Sequence, residues 1–178
     1  MNRIVIAVLL GGLAAGVLDI VYAFIIYGPA SYGLSPTAVL RSVAGGWIGR
    51  EASMAGGWNT AFLGLATHFG IAIVMAAVFV LAAARIGALT ERPVLWGFLY
   101  GVVLYVAINY IAVPLSAAAS GYFPASVAEI ATRLMEAFST VRPRYEAEYP
   151  WMIPATIFTH TVLVGVPIAL ITKRLVPN

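Results

Sequence analysis

The stretch TAFLGLATHFGIAIVMAAVFVLAAA, residues 60–84, decides the fold. It is an apolar run with one ionisable side chain, His68, set inside it. About 20 apolar residues in a helix cover a ~30 Å hydrocarbon core, so this run is long enough to cross a bilayer. A titratable group at such depth is costly and is kept for function or for a specific pairing. Composition points the same way: 62% of the 178 residues are hydrophobic and only 10% are charged, with a mean hydropathy of +0.95. Soluble domains carry about 25% charged residues.

Working outward, three more apolar runs lie at 4–27, 94–115 and 153–172. The first is too long for the apolar core of a signal peptide and has no small-residue cleavage site, so it reads as a retained span. The expectation is an all-α integral membrane four-helix bundle forming a single transmembrane domain over 1–178. Arg3, Arg85, Arg92, Lys173 and Arg174 crowd the span ends on the side of both termini. Arg41, Arg50, Arg133, Arg142 and Arg144 on the other side are diluted by Glu51, Glu129, Glu136, Glu146 and Glu148. This density predicts cytoplasmic termini in a plasma membrane. Trp47, Trp58, Trp96 and Trp151 fall in connections or span mouths, where an aromatic belt would sit.

Two connections carry helix signals. In SPTAVLRSVAGGWIGR, Ser35 is a helix cap with Pro36 in the first turn. In SVAEIATRLMEAFSTVRP, Ser126 and Glu129 form a capping box, and Val127, Ile130, Leu134, Phe138 and Val141 make an apolar stripe that Pro143 ends. Both read as amphipathic interfacial helices on the outer face, covering the bundle or resting in the lipid headgroups. The layout of 1–90 is echoed in 91–178: Gly12 and Gly16 answer to Gly97 and Gly101, Asp19 to Asn109, and Thr67–His68 to Thr159–His160. A parallel internal repeat would produce that pattern.

At 1.5 Å per residue, Asp19 and Asn109 each lie roughly 22 Å along their spans, and His68 and His160 fall in the same slab. Gly12, Gly16 and Asp19 share one helix face, as do Gly97, Gly101, Tyr105 and Asn109, giving small-residue packing faces that aim the polar groups inward. Thr67, Thr159 and Tyr105 support this Asp/His/Asn/His layer. Four readings follow from these residue types. The layer holds or relays a proton, or handles an ion or small solute. Alternatively His68 and His160, on diagonal helices, ligate a b-type haem, with Gly64, Gly70 and Ala72 leaving room for it. A third reading makes them metal ligands together with Asp19. In the last reading the polar groups only lock helices together, as in a non-catalytic auxiliary or scaffold subunit.

Other classes are excluded. A net charge of +3 with no basic stripe does not suit nucleic acid. The chain has no cysteine, which removes disulfides and thiolate sites. It has no phosphate-binding G-x-x-x-x-G-K-[ST] loop, no H-E-x-x-H and no G-x-S-x-G, and no serine stands beside a base, so it reads as a non-enzyme. The partner implied is the lipid bilayer, with a homodimer or larger membrane complex built on the glycine-striped helices. Leu95–Trp96–Gly97 opening the third span, Pro114–Leu115 closing it, and His160 followed by Lys173–Arg174 resemble the YagU-like family of small bacterial inner-membrane proteins. That resemblance covers the second half and the His68 span. It implies a bacterial inner-membrane protein associated with acid resistance, and no defined reaction.

Overall fold

A computed structural model describes residues 2–139 and 148–176. Val141, Arg142, Pro143, Arg144 and Glu146 lie outside the described residues. The chain is all-α, with no strand among the described residues. Four helices are long and apolar enough to cross a membrane: α1 Arg3–Tyr27, α4 Gly57–Ala83, α6 Pro93–Leu115 and α9 Met152–Leu175. Only 22–39% of their most apolar windows is buried within the protein. Most of that surface, including Leu10, Val17, Val21, Val74, Val78 and Val103, is exposed on the isolated chain and needs lipid against it. This is a multi-pass membrane protein built as a helical bundle. The expected span at 153–172 extends to Leu175, giving 24 residues against 23 to 27 in the other three.

The chain forms two compact units, one of Met1–Tyr22, His68–Tyr105 and Pro154–Asn178, the other of Ala23–Thr67 and Val106–Ile153. In the first unit the four spans close a ring by successive contacts. α1 meets α4 through Gly12, where an added Cβ would lie 2.7 Å from Ile73 Cα, and through Gly16, where it would lie 2.8 Å from the Phe69 ring. α4 meets α6 where the Tyr100 hydroxyl donates to the Met75 carbonyl at 2.7 Å and its ring tilts against Phe79. α6 meets α9 backbone to backbone: a Cβ at Gly97 would lie 2.7 Å from the Gly165 carbonyl, and one at Gly101 would strike His160 and Thr161. α9 returns to α1 where Ile168 lies behind Gly11. Ala15, Ala76, Phe79, Ala83, Leu104, Val164, Ile168 and Ala169 fill the core. Small residues dominate because van der Waals contact between helices, rather than exclusion of water, drives association in lipid.

In the second unit, α2 Pro36–Ile48 starts as expected, with Ser35 Oγ accepting from the Ala38 N–H. The single helix anticipated through residue 50 is broken at Gly49, whose φ of +81° only glycine adopts freely, and resumes as α3 Arg50–Ala55. Gly64 of α4 packs directly on the Leu40 carbonyl of α2. Short helices α5 Ala88–Glu91, in the first unit, and α7 Ala117–Ser120, in the second, bracket α6. The helix α8 Val127–Ser139 begins with the capping box, Ser126 Oγ accepting from the Glu129 N–H at 3.1 Å. The Glu129 carboxylate reaches back one residue further than usual, to the Ala125 N–H at 2.9 Å. Arg133 ties α8 to the end of α6, pairing with Glu129 and donating to the Pro114, Ser116 and Tyr122 carbonyls.

Two spans are not regular α-helix. α6 widens to π-helix at Ala107–Ala112 and α9 at Thr159–Gly165. The cause is the same in both. Pro114 and Pro167 have no N–H and crowd the carbonyl four residues back. The residue before each proline bonds instead five residues back, Val113 to Ile108 and Val166 to Thr161. The disruption at each proline is therefore spread over a widened turn. The spans that a repeat would pair with these, α1 and α4, are α-helical throughout.

Candidate functional site

The site lies in the first unit and starts from glycine. On α1 the buried face Gly12, Ala15, Gly16 leads one turn on to Asp19. Because Gly16 has no side chain, α4 comes close enough for His68 Nε2 to sit 2.8 Å from the Gly16 carbonyl oxygen. That oxygen has a second lone pair beyond its helix bond and can only accept, so Nε2 carries the proton and donates. The other ring nitrogen, Nδ1, is then turned toward Asp19, 3.8 Å from Oδ2. The second carboxylate oxygen, Oδ1, accepts a 2.7 Å hydrogen bond from the Thr159 hydroxyl of α9. Phe69 stands edge-on to the imidazole at 5.3 Å, and Tyr22 and Phe158 pack together at 5.7 Å where α1 and α9 meet.

With Nε2–H donated to the Gly16 carbonyl, Nδ1 is the ring position left facing the Asp19 carboxyl, so a proton placed between the two groups would have an acceptor on either side. At 3.8 Å the pair is an ion-pair contact and not a short hydrogen bond. The His68 side chain is 11% exposed and that of Asp19 29%, so the carboxyl end of the pair is the open one.

The other expected residues are placed differently. His160 does not join Asp19: its Nδ1 donates to the Thr156 carbonyl of its own helix at 2.8 Å, and its ring meets the edge of Tyr105 at 5.9 Å. Thr159, expected only in support, is the α9 residue that meets Asp19. Thr67 accepts from Trp47 Nε1 at 2.9 Å in the second unit. Asn109 is buried within the π segment of α6, also in the second unit. Gly12, Gly16, Gly97 and Gly101 all stand at close helix approaches. The Gly16 carbonyl, which fixes the histidine tautomer, is the functional group that sequence reasoning missed. Its signal was the glycine itself, read there only as a packing residue.

The residues do not fit the haem and metal readings. His68 has no nitrogen lone pair aimed away from protein groups, since Nε2 donates to Gly16 and Nδ1 faces Asp19. Gly64, expected to leave room for a macrocycle, is filled by the Leu40 carbonyl. Among the described residues no three His, Asp or Glu side chains come together as a metal site, so Asp19, His68 and His160 are not a ligand set. No family model matches the chain, and no curated protein or solved structure matches it.

Proposed function

We propose that this is a non-enzymatic bacterial inner-membrane protein, with both termini in the cytoplasm, that handles a proton at the Asp19–His68 pair, alone or with a small solute. One observation carries the reading: the Gly16 carbonyl holds His68 as the Nε2–H tautomer with Nδ1 facing the half-open Asp19 carboxyl. A pair that only locked helices together would be satisfied by a neutral donor and acceptor. Here both facing groups are ionisable, and intramembrane ionisable pairs of this kind serve proton relays. Thr159 steadies the carboxylate from the opposite helix without contributing a charge. The resemblance to the YagU-like family, with its association with acid resistance, is consistent with a proton-handling role.

The test is proton uptake into proteoliposomes under an imposed potential, read by an entrapped pH-sensitive dye. Asp19→Asn and His68→Gln should each abolish uptake while the protein elutes as a folded, monodisperse species. Unchanged uptake in both variants, together with a lowered unfolding midpoint, would leave only the helix-locking role.

A further inference from the structure

We propose that the end of the first unit carrying Arg3, Arg85, Arg92, Lys173 and Arg174 binds the headgroups of anionic phospholipids, with the groove behind Arg92 seating one lipid. The five cations belong to four different spans and meet at one end of the ring. Arg3 opens α1, Arg85 follows the end of α4, Arg92 immediately precedes α6, and Lys173 and Arg174 lie in the last turn of α9. Packing draws these ends together: Ile4 and Val8 of α1 and Leu175 of α9 lie on a cluster of Ala7, Val80 and Val176. The short helix α5, between Arg85 and Arg92, packs against the C-terminal part of α9.

All five side chains are exposed. No side-chain hydrogen bond or ion pair involves any of them among the described residues. Glu91 is the one acidic side chain beside them among the described residues, since the other acid of this unit, Asp19, lies deep within α1. The second unit differs in part, since among its described arginines Arg50 alone is exposed with no side-chain partner. There Arg41 is committed to the Thr37 and Met54 carbonyls, and Arg133 to Glu129 and three carbonyls. Unspent cations at the ends of membrane spans are complementary to lipid phosphate, and each such cation weighs about fivefold in affinity for an anionic surface.

The groove adds shape to charge. It is open, about 570 Å³ in volume, and lined by Arg92, Pro93, Val94, Leu95 and Phe98. A cation at the rim and an apolar wall running down the span match a phosphate and the acyl chain attached to it. Trp96, one turn inside Arg92, packs against the core from this end, where an indole sits well at headgroup depth.

Native mass spectrometry of the intact protein, released from micelles holding equal amounts of phosphatidylglycerol and phosphatidylcholine, tests this directly. The wild type should retain phosphatidylglycerol at least tenfold over phosphatidylcholine, and the preference should shrink with added salt. Arg85→Gln combined with Arg92→Gln should erase most of that preference, since each cation weighs about fivefold, whereas Arg50→Gln, in the other unit, should leave it intact. If the first pair of substitutions prevents folding, Lys173→Gln with Arg174→Gln reads the same surface. Equal retention of the two lipids by the wild type overturns the proposal. So does a preference that survives both double variants, or one that Arg50→Gln abolishes equally.

Discussion

Thr159→Val is the sharpest probe of the site, because it removes one hydroxyl and leaves the shape. Thr159 is 6% exposed and its Oγ1 lies 2.7 Å from Asp19 Oδ1. A hydrogen bond to a charged acceptor contributes about 1.5–3 kcal/mol when fully shielded. Asp19 is 29% exposed, so solvent competes and the lower figure, about 1.5 kcal/mol, is the expected loss. Valine fills the same volume and creates no cavity. For a chain of this size each kcal/mol moves the unfolding midpoint by roughly 2–4 °C, so Thr159→Val should lower it by about 3–6 °C. Thr159→Ser keeps the hydroxyl and gives up one methyl group, about 0.8 kcal/mol or 2–3 °C. Both are read by intrinsic fluorescence on heating in detergent. The decisive comparison is Thr159→Val in an Asp19→Ala background, where its effect should vanish because the acceptor is gone. A Thr159→Val protein as stable as wild type would refute the reasoning, as would a shift of the same size with and without Asp19.

The glycines give a second contrast. Gly101→Ala drives a Cβ into the backbone of His160 and Thr161, which cannot rotate away, so it should cost at least the ~1–3 kcal/mol typical of overpacking. Gly70→Ala meets nothing within 4 Å and should be neutral or slightly stabilising, as alanine is the better helix former; equal midpoints for the two variants would contradict the close approach of α6 and α9. The capping box of α8 predicts a pH dependence. The Ala125 N–H, and after it the Arg133 guanidinium, hold the Glu129 carboxyl below the usual carboxylate range. A depressed value favours the ionised form in the folded state, so this contribution is present above the ordinary glutamate range and is lost as pH falls through the lower folded value. Amide exchange across residues 127–139 should therefore quicken only in that acid window, and Glu129→Gln should remove the step. Protection that stays constant down through that window would show that the box does not hold α8.

Much of this architecture follows from one-dimensional signals. Span positions depend on the length of apolar runs against a fixed bilayer thickness, a quantity written directly into 60–84 and its three companions. Caps are equally local. Ser35 with Pro36 and Ser126 with Glu129 act within four residues of themselves, so their geometry follows from their spacing. Half of the candidate site is legible for the same reason: Asp19 follows Gly12 and Gly16 on one α-helical face, and glycine is what allows α4 to approach it. The break at Gly49 was not legible. A glycine inside an apolar-periodic stretch is tolerated in a helix as readily as it ends one, and here the choice goes with a tertiary contact. A Cβ at 49 would lie 3.0 Å from Gly121, 72 positions further along the sequence.

The placement of His160 has a more specific cause. Its expected orientation assumes that residues three and four apart share a face, which holds only while the helix bonds four residues back. From Thr159 to Gly165 the helix bonds five residues back, and residues five apart come into line. Thr159 and Val164, five apart, are both buried, at 6% and 4% exposure, along with Thr161 and Gly165, while His160 falls toward Tyr105. The proline that widens this turn lies at 167, beyond the segment it reshapes, so the face that His160 takes is not set by its nearest neighbours in the sequence. The result bears on chemistry as well as packing. With Thr159 rather than a second imidazole against Asp19, the carboxylate meets a neutral donor on one oxygen and a titratable ring beside the other. The second histidine donates instead to the Thr156 carbonyl of its own helix.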